Sequence, residues 1–137
     1  MMNASAFSLL EARSRLRSGD LTSVELTRAC LERIQRLDAA IFAFLFVSPE
    51  AALEQARRAD RVLAQWRKDP ALPLPPLMGI PVAVKDVLCL EGMPATAGSR
   101  ILEGFHPPYT ATSVQRVIDA GAIVLGKTNT DEFAMGS

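Results

Sequence analysis

The residue with the greatest chemical reach in this sequence is Lys85, which directly follows the apolar, β-branched run from Ile80 to Val84 and directly precedes Asp86. A lysine at the end of a buried strand admits two readings. Its long stem can carry the ammonium out to solvent, which the pattern alone favours because lysine is seldom fully buried. Alternatively the site withholds water from the amine: desolvation disfavours the ammonium form, and a neutral amine can take a proton from an alcohol. Asp86 would work against that if it lay alongside, but successive side chains of a strand point to opposite faces, which separates the two. The catalytic reading therefore expects an amine at position 85 that is shut off from water and aimed at a pocket.

Other residues carry weaker chemistry. The stretch from Gly121 to Thr128 satisfies the letters of the nucleotide-binding pattern G-x-x-x-x-G-K-T. A true phosphate loop needs a strand before its first glycine and a helix opening at its lysine, so that the intervening N–H groups face phosphate. Here Gly121 ends a helical pattern and the residues between the glycines are themselves strand-like, which commits their N–H groups to a ladder and excludes ATP. Asp131 and Glu132 could pass for an acid/base pair, but adjacent carboxylates after Asn129-Thr130 suit the start of a helix. Cys30 and Cys89 have no CxxC spacing, and the single His106 has no partner for a metal site, so both thiols read as reduced and structural.

The elements that must position Lys85 follow from hydrophobic spacing. Phe7, Leu10 and Leu16 mark a short helix that stops near Ser18-Gly19-Asp20. Thr22 to Glu25 fits a capping box, and Leu26, Cys30, Ile34 and Leu37 give the next helix a core face. Ile41 to Val47 reads as a buried strand. Ser48 caps and Pro49 opens a third helix with a stripe of Ala52, Ala56, Ala59, Leu63 and Trp66, the tryptophan being packing and not a cofactor platform. Prolines 70, 73, 75 and 76 make an extended connection. Ile80 to Val84 reads as a strand buried on both faces, 87–108 as mostly loop, Thr112 to Gln115 as a second capping box, and Ala122 to Leu125 as another buried strand. Strands alternating with helices place the chain in the α/β class, where sites gather at the C-terminal ends of strands.

Composition excludes some partners. The 137 residues carry 15 Lys plus Arg against 15 Asp plus Glu, so no basic surface is available to grip a phosphate backbone. The longest apolar run, Ala39 to Val47, is far short of the ~20 residues a membrane-spanning helix needs. No basic residue precedes Leu9 and Leu10, and Glu11 interrupts the apolar stretch, unlike a secretory signal. The default is a cytoplasmic protein with no membrane contact.

Certain segments are informative as words. Gly79-Ile-Pro-Val-Ala-Val-Lys85-Asp86, the Gly92-x-Pro94-x-Thr96-x-Gly98-Ser99 loop, Ala120 to Asn129, and Asp131-Glu-Phe-Ala-Met-Gly-Ser137 together resemble the amidase-signature family, in sequence and in order. The resemblance is specific from Leu77 to Ser137 and general before it. It implies an α/β fold with a mixed β-sheet flanked by helices, of which residues 1–137 would be the N-terminal, incomplete portion of a single domain. That portion divides into a helical layer with one buried strand (1–69), a Pro-rich connection (70–78) and the start of the signature core (79–137). Bare sheet edges would invite association or poor folding.

The resemblance also implies a mechanism. Amides in that family are cleaved by a serine nucleophile, a second serine held by a cis peptide, and a lysine that Lys85 matches. The neutral lysine amine takes a proton from the second serine, which activates the nucleophile, and an acyl-enzyme forms. Both serines lie in a Gly-Gly-Ser-Ser-Gly-Gly-Ser-like stretch after the last matching segment. No Gly-Gly dipeptide occurs in this sequence, and neither Ser99 nor Ser137 has the glycines an oxyanion hole needs, so the chain alone is expected to be inactive. Met135 and Gly136 fall where members line the substrate pocket, the alternative being a turn packed by Phe133 and Met135.

Asp131 to Ser137 with Cys89 is most similar to the glutamine-hydrolysing A subunits of tRNA-dependent amidotransferases, although Val87 departs from the Asn frequent there. That branch implies glutamine as substrate, B and C subunits as partners, tRNA reached through the complex, and ATP and magnesium on the B subunit, with no cofactor in this chain. Another amide hydrolase, or a non-enzymatic remnant or binding module, is the alternative.

Overall fold

A computed structural model describes residues 6–136. The elements, in chain order, are α1 (Leu9–Ser18), α2 (Ser23–Ile41), β1 (Phe44–Val47), α3 (Pro49–Trp66), β2 (Pro81–Lys85), a 3-10 turn at Arg100–Leu102, α4 (Thr112–Asp119), β3 (Ile123–Thr128) and a 3-10 turn at Glu132–Ala134. The strands form a mixed sheet in the order β1-β3-β2, with β1 antiparallel and β2 parallel to β3. The proposed α/β class with a mixed sheet flanked by helices is what the structure contains.

The helix ends show how local chemistry sets these elements. Ser8 accepts the N–H of Glu11 at 3.2 Å to start α1, and Gly19, at φ 91°, ends it with its N–H on the Arg15 carbonyl. Thr22 and Glu25 form the expected capping box at α2, the Thr22 hydroxyl accepting the Glu25 N–H and the Glu25 carboxylate accepting the Thr22 N–H at 2.8 Å. Asp60 of α3 also accepts the N–H groups of Ser23 and Val24 at 2.7 and 3.1 Å, so α3 satisfies donors that α2 cannot satisfy itself.

The Thr22 N–H, followed by the Thr22 hydroxyl, holds the Glu25 carboxyl below its ordinary value of 4.5. A lowered native pKa adds stability that is present above the unfolded value and is lost as pH falls through the native one. We expect Thr22→Ala to cost about 1 kcal/mol in urea unfolding at neutral pH. Glu25→Gln should reduce stability at neutral pH, with the gap to the parent chain closing as the pH is taken below 4.5 and through the lowered value. A gap that stayed constant across that range would show that the capping carboxylate is not what titrates.

Several expectations are corrected. The Ser48 side chain makes no capping bond; α3 starts on Pro49, whose missing N–H leaves one donor fewer to satisfy. Thr112 lies inside α4, and the cap position is Ala111, again without a side-chain bond. Leu10 is 66% exposed because the buried face of α1 is set by Ala12 and Leu16, and a residue two before Ala12 points to the other side of a helix. On α2 burial fades along the helix, from Leu26 at 4% to Leu37 at 36% and Ile41 at 61%. The strand expected from Ile41 begins only at Phe44, because α2 runs through Ile41 and Phe42 caps it in the left-handed region at φ 55°.

Neither β1 nor β2 is doubly buried. Leu45, Ala83 and Lys85 are exposed, each on a face of its edge strand that is left uncovered, while Val84 on the other face of β2 is buried. The central strand β3 alone has that character, and it reaches Thr128, beyond the expected Leu125. Its Ile123 and Leu125 pack with Ala52, Ala56 and Ala59 of α3, while Val124 packs on the opposite side with Val84, Leu90, Met93 and Val114. Trp66 is half-buried and donates its indole N–H to the Leu72 carbonyl at 3.1 Å, a packing role.

The pairing of β3 with β2 is irregular at one point. Val82 pairs with Val124, but Val84 pairs with Lys127, so β3 holds one residue more than β2 over that span. Such a bulge turns the residues beyond it to the other face of the sheet. Lys127 therefore leaves the α3 side, which Ile123 and Leu125 occupy, and joins the side of Val84 and Val124.

Candidate active site

Lys85 is the last residue of β2, paired across the sheet with Thr128. It is exposed, and the amine expected to be shut off from water is not shut off by the described residues. The cause is the face it lies on: Ala83, two residues earlier on the same face of β2, is exposed as well, while Val84 on the opposite face packs with Leu90, Met93 and Val124. The separation of Lys85 from Asp86 is as expected. Asp86 is 1% exposed and faces inward, where its Oδ1 lies 3.3 Å from Nζ of Lys127.

Lys127, at 0% exposure, is the buried lysine of this fold. Its Nζ also donates to the Pro94 carbonyl at 2.8 Å. The other oxygen of Asp86 accepts the Thr96 N–H at 2.9 Å, the Thr96 hydroxyl at 2.5 Å and the Gly98 N–H at 3.4 Å. The loop at 94–98 is thus tied to the end of β2 by one carboxylate and one ammonium. Sequence reasoning singled out Lys85 and passed over Lys127, which is the lysine of the G-x-x-x-x-G-K-T match. That match forms no phosphate loop: Gly121 follows α4 at φ 91°, and Gly126 and Lys127 are inside β3, with the Ile123 N–H given to the Ile80 carbonyl.

The 129–136 segment closes on the same loop. Phe133 donates its N–H to the Ala97 carbonyl at 2.8 Å, Ser99 donates its hydroxyl to Glu132 at 2.7 Å, and a Cβ on Gly98 would stand 2.7 Å from the Thr130 carbonyl. Asp131 accepts the Gly136 N–H, which holds its carboxyl below the ordinary carboxylate range; Thr130 and the Lys85 ammonium act in the same direction against partial desolvation. The two acidic residues bind loop groups here and do not face one another as a proton-transfer pair would.

Met135 is 84% exposed and Gly136 lies next to it at φ 91°. The turn is formed at Glu132–Ala134 with Met135 as its cap, but it is not packed by Phe133 and Met135, since Phe133 is 42% exposed as well. Ser137 lies outside the described residues. Ser99 is buried and its hydroxyl is given to Glu132. Cys30 and Cys89 are both free thiols; burial raises the Cys30 pKa, and Cys89 contacts the Tyr109 hydroxyl at 3.6 Å. Among the described residues no group of three or more His, Cys, Asp or Glu could hold a metal ion, and no helix is long and apolar enough to cross a membrane.

Comparison with known proteins gives this arrangement a context. The chain is 55% identical over 92% of its length to the A subunit of glutamyl-tRNA(Gln) amidotransferase from Chloroflexus aurantiacus, covering 25% of that protein. It is 46% identical over its whole length to the protein of the same name from Jannaschia sp., covering 26% of it. The chain thus spans about a quarter of the length of these relatives. In three dimensions it superposes on native peptide amidase from Stenotrophomonas maltophilia with a TM-score of 0.81 and 38% identity, over 96% of this chain and 26% of that one. The family model for amidases matches residues 25–137. With the motif order, the sheet and this match in agreement, the chain belongs to the amidase family, the amidase-signature enzymes.

Proposed function

We propose that this chain is a segment of the glutamine-hydrolysing A subunit of a tRNA-dependent amidotransferase, supplying the lysine of a serine–serine–lysine amidase site. The observation that supports this most is the family match over residues 25–137, which contains Lys85 at the C-terminal end of a strand and the Thr96–Gly98 loop beside it. Lys85 itself is exposed among the described residues.

In this reading Lys85 is the proton acceptor. Its neutral amine takes the proton of the second serine, that serine takes the proton of the nucleophile, and the proton is returned to the departing ammonia as the acyl-enzyme forms. A lysine does this near neutral pH only when water is withheld from it. The described residues leave Lys85 exposed and contain no serine pair flanked by glycines, so the chain alone should hydrolyse neither glutamine nor simple amides. Met135 and Gly136 would contact substrate from their place just after the 3-10 turn at Glu132–Ala134.

The ammonia would pass to a B subunit that activates glutamyl- or aspartyl-tRNA with ATP and magnesium, with a C subunit joining the two; tRNA would be reached through that assembly. The glycine-lysine match of this chain is part of a strand and forms no phosphate loop. As such a subunit the protein would work in the cytoplasm.

The test is a chimera in which residues 1–137 replace the matching quarter of the Chloroflexus aurantiacus protein. Glutamine hydrolysis by the chimera, with none by the 137-residue chain, is the expected result. A folded chimera that released no ammonia from glutamine but cleaved other amides would move the chain to another amidase branch, and one without either activity would sink the enzymatic reading.

A further inference from the structure

A lysine with no exposed surface is costly to maintain, and a buried ion pair adds little stability over an apolar pair of the same shape. Lys127 and Asp86 are nevertheless the two charged side chains at 1% exposure or less among the described residues. The bulge in β3 is what brings them together, since without it Lys127 would share the α3 side with Ile123 and Leu125. Bulges recur beside active sites, where they re-aim a side chain.

Their partners lie on both sides of Lys85. Asp86 is the next residue in the chain, its N–H fixed to the Thr128 carbonyl at 3.0 Å. Through Pro94, Thr96 and Gly98 the pair holds a loop in which Ala97 is forced to φ 50°. That loop in turn accepts the Phe133 N–H on the Ala97 carbonyl and lies close against the Thr130 carbonyl at Gly98, so it meets the chain on either side of Asp131. Removing the ammonium would take the neighbouring cation from the buried Asp86 Oδ1, which receives no hydrogen bond from any donor among the described residues.

We propose that Lys127 and Asp86 act as a buried positioning pair for the amide-cleaving site, holding the 94–98 loop against the end of β2 so that the Lys85 amine is presented in one fixed place. The inference rests on the amidase reading above. It gives Lys127 no contact with substrate and no part in proton transfer. It also explains why the ammonium is retained where a methionine would fill the same space without desolvating a charge.

The test uses two readouts. In the chimera, Lys127→Met should lower kcat for glutamine by about 10²-fold per folded molecule, the scale of a small misplacement of reacting groups, while KM moves less than about threefold. Asp86→Asn combined with Lys127→Met should lose no more than Lys127→Met alone, because residues acting as one unit are not additive. In the 137-residue chain, amide hydrogen exchange at Thr96 and Gly98 should accelerate in Lys127→Met. If that variant folds poorly, Thr96→Val, which puts a methyl in place of the hydroxyl on Asp86, carries the test with a fall in kcat of roughly tenfold.

Unchanged kcat per folded molecule in both variants, with only the melting transition displaced, would reduce the pair to a structural feature and overturn the proposal. Additive losses in the double variant would do the same. A chimera inactive with its parent sequence would strike the amidase reading alone, and exchange at Thr96 and Gly98 would then decide the clamp: no acceleration overturns it.

Discussion

Lys85→Ala in the chimera is expected to lower glutamine hydrolysis by about 10²- to 10⁴-fold, the range over which a positioned general base contributes. The place of the side chain is the reason. It stands at the C-terminal end of a strand, on the opposite side from Asp86, whose charge is engaged by Lys127, and its backbone is held by the pairing with Thr128. Lys85→Arg separates a base from a mere cation. Guanidinium keeps the charge and reach but does not lose its proton in proteins, so it should fail to restore the rate. If Lys85→Arg instead kept most of the activity, Lys85 would be an electrostatic contact and the proton acceptor would have to be sought elsewhere. The loss should fall on kcat, since the amine acts in the chemical step.

The second large effect is on stability. Gly126→Ala should cost the 137-residue chain at least about 3 kcal/mol, at or beyond the upper end of ordinary overpacking, read as a shift of the urea midpoint. A Cβ at this position would collide with the carbonyl oxygen of Phe46 and stand 2.9 Å from the Cα of Val47. These are backbone atoms of the paired strand, so no side chain can swing aside. Gly92→Ala is the control. Nothing lies within 4 Å of a Cβ there, and only the positive φ of 84° is unfavourable, worth about 1–2 kcal/mol. Equal effects from the two substitutions would mean that β1 and β3 can separate or shift without cost, and the pairing of Val47 with Gly126 would then not be a fixed feature of the sheet.

Much of the framework was legible because its signals are local. The Thr22–Glu25 capping box, the stop of α1 at Gly19 and the start of α3 at Pro49 each depend on residues within one turn of the chain. So does the rejection of the phosphate loop, where the order of helix, glycine and strand around Gly121 decides the matter. The same local reading erred where burial depends on neighbours. Ile80 to Val84 is apolar enough to be a central strand, yet β2 is an edge, and Ala83 and Lys85 lie exposed. Leu37 and Ile41 continue the apolar face of α2 past the point where this chain covers it.

The sequence by itself determined the family, the run of elements and the separation of Lys85 from Asp86, because motif order, caps and the two-residue period of a strand are properties of short segments. Tertiary structure alone decided which lysine is buried. One extra residue in β3 turns Lys127 through the sheet to meet Asp86, Pro94 and the Thr96 loop, partners separated from it by some 30 to 40 positions in the chain. No local pattern encodes such a bulge, since it exists only as a mismatch in register between two strands that must first find each other.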